Sequence, residues 1–259
     1  MNLLQGWTLA TLLVICPTGV LHSGEAESPQ ERPLALVYRG AGSCQEGCSE
    51  SLAQIAERSG FRVQYVGPDE ADLDIFQRAK LWIQPGGRAL TQARKMSPAL
   101  KLRIIEFVKQ GGSYVGICAG AFLAAEQFGW GGAPGRKVLE RGLGLIPGFS
   151  GLYSPAGNEN VLLMNSDWLG FGKRELYWEL GPDFRGESLW GSSVEVLSRY
   201  PEGLPATVRS TFGKGRVYVT AFHPEAPQAW RDYYQLKDSD GVDFDLVTEM
   251  IRWTTSLVP

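Results

Sequence analysis

The stretch Gly111-Gly112-Ser113-Tyr114-Val115-Gly116-Ile117-Cys118-Ala119-Gly120-Ala121-Phe122-Leu123-Ala124-Ala125 reads as a buried strand, a glycine-pinched turn around one cysteine, and a helix of small residues. A residue between Gly116 and Gly120 can occupy a sharp strand-to-helix turn, which pushes Cys118 Sγ out from the sheet edge. The helix beyond it points free N–H groups back at the sulfur. Such surroundings lower a thiol pKa from about 8.5 toward roughly 3.5 to 7.5, which makes Cys118 a candidate nucleophile. A buried structural cysteine between two packing glycines is the other reading of the same stretch.

Upstream of this turn, strands and helices alternate. Residues 34–38 form an apolar run that ends in a glycine-rich loop, and residues 49–58 have helical apolar spacing before Gly60. Residues 61–66 read as a second strand and 71–78 as a weak helix. Residues 81–84 read as a third strand closed by Pro85-Gly86-Gly87. Residues 97–110 form a helix with Pro98 in its first turn and Gly111-Gly112 as its stop. This order predicts right-handed crossovers and a parallel sheet covered on both faces.

After Phe128 the chain is rich in glycine and aromatic residues, with strand-like runs at 142–146, 161–164 and 174–178. These are expected to form β-rich insertions over one edge of the sheet. Residues 194–200, 206–212 and 216–222 read as strands, the last two joined through Gly213-Lys214-Gly215 as a hairpin, and 244–255 as a closing amphipathic helix.

Residues 3–21 carry no charge, and residues 23–33 are polar, with three glutamates and two prolines. The expectation is a signal peptide over 1–26, a flexible junction over 27–33, one domain over 34–259 and a secreted or periplasmic location. A membrane anchor is the alternative, which Gly6, Pro17 and Gly19 weaken. No stable membrane insertion is expected once the leader is removed. The 44% hydrophobic content suffices for a full core, and a net charge of −3 without basic runs excludes a nucleic-acid footprint.

Of the four cysteines, Cys16 falls in the leader, which leaves Cys44, Cys48 and Cys118 in an oxidising compartment. The glycine-rich loop around Cys44 and Cys48 allows a local bridge, with Cys118 free. That bridge is expected to flank the Cys118 pocket and stiffen its loop. The rival is a redox switch in which Cys44 pairs with Cys118.

His22 also lies in the leader, so any cysteine–histidine chemistry must use His223. It stands in Phe222-His223-Pro224-Glu225, where the proline takes the chain off the sheet and Glu225 can fold back onto the imidazole. Cys118, His223 and Glu225 thus suit the roles of nucleophile, base and orienting acid, with Cys118 expected at positive φ and within reach of His223. The amides of Gly86 or Gly87 and of Ala119 are candidates for holding an oxyanion beside Cys118. No metal or cofactor is expected.

The elements P-G-G at 85–87, G-I-C-A-G at 116–120 and H-P-E at 223–225, in that order, resemble the class I glutamine amidotransferase superfamily. That resemblance implies a flavodoxin-like three-layer α/β/α sandwich with a mostly parallel sheet and a Cys-His-Glu triad. More narrowly, V-Y-R-G-A-G at 37–42, G-G-S-Y-V-G-I-C-A-G-A-F at 111–122, residues 177–184 and the F-H-P-E ending resemble the amidotransferase-like domain at the N-terminus of eukaryotic biotin-protein ligases and its stand-alone bacterial forms. The chain departs from glutaminases at Phe122, where they carry a glutamine that helps hold substrate. The expectation is a cysteine hydrolase acting on a small amide, ester or peptide, with no ligase activity and no partner protein identified. The alternative is a binding module that uses Tyr177, Trp178, Phe184 and Trp190 as an exposed recognition surface.

Overall fold

The computed structural model describes residues 32–256 apart from 46, 131–136 and 158. The expected leader 1–26, and the junction up to residue 31, lie outside the described residues.

Strand β1 (Leu34–Tyr38) is buried along its whole length, and its side chains alternate between two cores. Leu34, Leu36 and Tyr38 enter one, and Ala35 and Val37 the other. A strand with apolar residues on both faces belongs in the middle of a covered parallel sheet. The sheet has seven strands. With β2 (Arg62–Val66), β3 (Ala79–Gln84), β4 (Ser113–Ile117), β11 (Val194–Arg199), β12 (Pro205–Phe212) and β13 (Gly215–Thr220), its order is β11-β12-β13-β4-β3-β1-β2. The run from β13 to β2 is parallel, and β12 and β11 continue it antiparallel. The fold is a flavodoxin-like α/β/α sandwich.

Helices α1 (Cys48–Arg58) and α8 (Phe244–Thr255) cover one face. On the other lie α2 (Leu73–Arg78), α3 (Ala89–Lys95), α4 (Pro98–Lys109) and α5 (Ala119–Ala124). The Ser97 hydroxyl caps α4 by accepting from the Leu100 amide at 3.1 Å, and Pro98 sits at the first helical position, where its missing N–H costs nothing.

The β-rich region differs from the expectation of insertions over one sheet edge. It divides between the two faces. Strands β5 (Ala125–Trp130), β6 (Lys137–Arg141), β7 (Ile146–Leu152) and β10 (Pro182–Arg185) make a four-stranded sheet, ordered β10-β7-β5-β6, on the α4 and α5 face. The hairpin of β8 (Val161–Trp168) and β9 (Gly172–Glu179) packs with α1 and α8 on the opposite face. The strand expected at 142–146 is a loop up to residue 145. Its amides bond to carbonyls at the end of α5 and the start of β5, Leu143 to Leu123 at 2.6 Å and Leu145 to Ala124 at 2.8 Å, so they are spent before any ladder can form. Two short helices, α6 (Glu187–Trp190) and α7 (Gln228–Tyr233), complete the described elements. No helix among the described residues is long and apolar enough to cross a membrane.

Candidate active site

Three neighbouring strands, β3, β4 and β13, end side by side. Gly116 on β4 pairs with Gln84 on β3 and with Val219 on β13, and Ile117 pairs with Thr220. The segments that follow these strand ends carry Pro85-Gly86-Gly87, Cys118 and His223-Pro224-Glu225, so the three sequence elements meet at one sheet edge. Open parallel sheets bind ligands at that edge.

Cys118 has φ 45° and ψ −100°, a backbone conformation that costs energy for any residue with a side chain. The glycines make the turn possible. A Cβ on Gly116 would stand 2.7 Å from the Gly120 carbonyl oxygen, and one on Gly120 would stand 2.2 Å from the Gln84 carbonyl oxygen. Cys118 is 4% exposed, and its thiol donates to the Glu179 carbonyl at 3.5 Å.

His223 Nδ1 and Glu225 Oε1 are 2.9 Å apart, both residues being buried. The Cys118 sulfur acts on the same ring from close by. Burial opposes a charge on the ring, but the Glu225 carboxylate, the Cys118 sulfur and the hydrogen bonds to both outweigh it and hold the His223 pKa well above its ordinary value. Tyr177 and Trp230 each meet the ring in an edge-to-face arrangement at 5.9 Å between centroids.

A cavity of about 330 Å³ opens over Cys118 and His223. Gly87, Cys44 and Cys48 line it too, whereas Gly86 and Ala119 are buried and do not line it. Gly87 must be glycine, since it has φ 121° and a Cβ there would stand 2.2 Å from the Gly42 carbonyl oxygen. Cys44 and Cys48 form a disulfide with a Cα separation of 5.6 Å, and Cys118 is free.

Several residues of the site escaped sequence reading. Gln92 on α3 is buried, and its Nε2 donates to the carbonyls of Gly42 at 3.1 Å and Gly86 at 3.0 Å, tying the disulfide loop to the glycine loop. Leu180, at φ 48°, is a second strained residue in the cavity wall, beside Glu179. Arg88 and Thr91 stand at the mouth. The helix-forming run Ala89-Leu90-Thr91-Gln92-Ala93 was the available signal for α3. Nothing local marks Leu180.

The recognition surface expected of Tyr177, Trp178, Phe184 and Trp190 is not there, because all four are buried. Trp178 Nε1 donates to the Tyr200 hydroxyl and Trp190 Nε1 to the Pro147 carbonyl, so their polar atoms are satisfied inside the core.

Comparison with known proteins agrees with this architecture. A family model described as biotin-protein ligase, N terminal, matches residues 34–252. A biotin–protein ligase of Schizosaccharomyces pombe is 25% identical over 160 residues, which cover 56% of this chain and 25% of that protein. An uncharacterized protein of Chlamydia muridarum is 27% identical over 166 residues, 58% of this chain and 61% of that one. The chain thus spans a quarter of the first relative's length and under two thirds of the second's. Among solved structures, a glutamine amidotransferase superposes with a TM-score of 0.56 at 21% identity, covering 83% of this chain and 98% of that chain. PurLQS from Thermotoga maritima superposes with a TM-score of 0.56 at 19% identity, covering 85% and 97%. At these identities the likeness is one of fold.

Proposed function

Because the chain belongs to the biotin-protein ligase N-terminal family and has a glutamine amidotransferase-like fold, we propose that it is an exported cysteine-nucleophile hydrolase that cleaves a carbon–nitrogen or ester bond in a small amide, ester or peptide. The observation that carries this reading is the position of His223, which pairs with Glu225 at 2.9 Å, feels the Cys118 sulfur and lines one cavity with it. In this reading Cys118 attacks the substrate carbonyl as a thiolate paired with the His223 imidazolium. Glu225 holds the ring in place. His223 gives its proton to the leaving group, and then activates the water that cleaves the thioester. The main chain of Gly86, Gly87 and Ala119 supplies candidate donors to the tetrahedral oxyanion. Glutamine itself is not proposed as the substrate, since Phe122 occupies the position of the glutaminases' substrate-holding glutamine. Export is supported by the uncharged run at 3–21 and by a disulfide in the site.

Alkylation of Cys118 with iodoacetamide across pH, followed by mass spectrometric capture of an acyl-enzyme from a panel of p-nitrophenyl esters and p-nitroanilides, tests the proposal. Alkylation of Cys118 at pH 7 that outpaces that of a free thiol, together with an acyl adduct on that residue, is the expected result. A Cys118 that titrates as a free thiol and accepts no acyl group rejects it. That result would favour the binding-module reading, which the slight exposure of Cys118 supports.

A further inference from the structure

Cys48 is fully buried at the start of α1, and its Sγ, a ring nitrogen of His223 and a carboxylate oxygen of Glu225 all lie within 4.8 Å of one another. A Cβ on Gly86 would meet the same sulfur at 3.3 Å and His223 Cε1 at 2.5 Å, so Cys48 and the imidazole share one small space. Cys44 is half-buried and lines the cavity that holds Cys118. Glu225 Oε1 meets His223, while Oε2 is buried and has no hydrogen-bond partner among the described residues. A bare acceptor in a buried site calls for a functional reason.

We propose that Cys44–Cys48 is a redox-active pair, opened by a small-molecule thiol, in which Cys48 leaves as a thiolate against the His223–Glu225 pair and draws that pair away from Cys118. The inference rests on the reading of His223 as the base that serves Cys118. It goes beyond a bridge that only stiffens its loop.

The chemistry balances with two molecules of thiol. The thiolate of the first attacks Cys44 Sγ, since Cys48 is shielded. The Sγ–Sγ bond breaks, a mixed disulfide forms on Cys44, and the electron pair leaves on Cys48 Sγ, which takes a proton from His223. The ring recovers a proton from solvent. The second thiolate attacks the small molecule's sulfur, releasing a small disulfide and the Cys44 thiolate, which is then protonated. The bridge gains two electrons and two protons, and two thiols become one disulfide. A leaving thiolate beside an imidazolium departs readily, which makes Cys48 the better leaving group of the two.

Opening the bridge alters the site for Cys118. The Cys48 thiol is a donor beside a carboxylate with an unfilled acceptor, and a bond to Glu225 drains the charge that keeps His223 protonated. If Cys48 gives its proton to His223 instead, a second thiolate competes for the imidazolium. Among the described residues, the titratable groups that face His223 are Glu225 from its own segment, Cys118 from the β4–α5 turn, Cys48 from α1 and Tyr177 from β9. Of these, Cys48 alone changes with the state of the bridge. The closed bridge is the reactive state of Cys118, and the open one is quiet.

Iodoacetamide labelling of the full chain, read cysteine by cysteine by mass spectrometry, tests this, with a thermal melt to verify folding of each variant. In the oxidised protein Cys118 is labelled. After reduction with a phosphine and its removal without air, Cys118 labelling at pH 7 slows about tenfold, the equivalent of one pKa unit. Cys44→Ser leaves a permanent thiol at Cys48 and shows the slow rate without reductant. The double variant Cys44→Ala/Cys48→Ala labels Cys118 about tenfold faster than Cys44→Ser does, as does Cys48→Ala, which keeps its thiol on Cys44 instead. A Cys118 rate indifferent to reduction makes the bridge a staple only. A slow rate in both Cys48→Ala variants assigns the effect to a loosened loop. Either result overturns the proposal. If Cys118 in the oxidised protein titrates as a free thiol, the hydrolase reading fails separately. The redox pair is then decided by Cys48 in Cys44→Ser, where a depressed apparent pKa sustains it and an ordinary one rejects it.

Discussion

Gly86 sits against the His223 ring, so closely that a Cβ at position 86 would stand 2.5 Å from Cε1 and 3.2 Å from Nδ1. The glycine after β3 therefore sets where the imidazole after β13 can lie, although β4 runs between the two strands. In Gly86→Ala the ring has to move away from Glu225 or from Cys118. We expect Cys118 alkylation at pH 7 to slow at least about tenfold, with a stability loss of about 1–3 kcal/mol, typical of overpacking. Urea unfolding and labelling on the same sample check both. Normal labelling with normal stability would show that the ring has room to spare.

His223 and Glu225 differ in what their loss removes. His223→Ala deletes the cation and the proton carrier beside Cys118, and labelling at pH 7 is expected to fall by about 10²-fold, within the range for a lost acid–base group. Glu225→Gln retains an oxygen that can accept from Nδ1, so its effect is expected to be smaller, about tenfold. A larger loss in Glu225→Gln than in His223→Ala would reverse the assigned roles.

Gly120 has a purely steric part. Its hydrogen faces the Gln84 carbonyl oxygen, 2.2 Å from where a Cβ would be, and backbone there cannot step aside as a side chain could. Gly120→Ala is expected to separate α5 from β3, at a cost of about 3 kcal/mol, the upper end of overpacking. Denaturant melts measure it. A loss below about 1 kcal/mol would mean that the elbow tolerates more relaxation than its contacts imply.

The fully buried Arg231 forms ion pairs with Asp238 and with Asp243, the latter at 3.1 Å, and donates to the Ala226 carbonyl at 2.7 Å, just beyond Glu225. Burial pushes the Asp243 carboxyl up to about 7, with Arg231 opposing and Asp240 and Asp238 adding to the rise. Between about pH 4 and 7 the folded protein therefore holds a proton on Asp243 that the unfolded chain has released. The stability this group contributes is present at the acid end and is lost as pH rises through 7. The melting-temperature advantage of wild type over Asp243→Asn is expected to shrink between pH 5 and pH 8. An advantage that stays constant from pH 5 to pH 8 would show that Asp243 is ionised throughout.

Arg231→Leu is expected to destabilise strongly, by about 3–5 kcal/mol, because it leaves buried carboxylates without their counter-charge. Recovery of much of that loss at pH 5, where Asp243 is protonated, would identify charge as the cause. An equal loss at pH 5 and pH 8 would identify packing instead.

The sequence announced those parts whose backbone is written in glycine and proline. Gly116 and Gly120 mark the turn at Cys118, Pro224 marks the departure after His223, and Ser97-Pro98 marks the start of α4. Uniformly apolar runs such as 34–38 marked the central strands. The four-stranded sheet was hidden because its strands are broken by the same residues that signal loops. β7 reads Ile-Pro-Gly-Phe-Ser-Gly-Leu, and its pairing with β5 and β10 is decided by tertiary contact. Leu180 and Trp230 line the cavity from separate segments and Gln92 ties its loops together from α3, and no local pattern places them there. The exposure that the alternative reading asked of Tyr177, Trp178, Phe184 and Trp190 failed because the insertions lie on the sheet's two faces, where Trp178, Phe184 and Trp190 enter the cores and Tyr177 packs with Trp230.

The pairing of β4 with β13 joins Ser113 to Arg216 and Ile117 to Thr220, across about a hundred residues of intervening chain. Closing so long a loop is entropically costly, and topologies that depend on such closures fold slowly. Both insertions lie within that loop, so during refolding the sulfur and the imidazole remain strangers until strands β5 to β10 have been stowed on the two sides of the sheet and β11 and β12 have joined its edge. Fast alkylation of Cys118 then becomes a clock for the last step of folding. It is expected to return with the slowest phase of tryptophan fluorescence, well after helical circular dichroism has recovered.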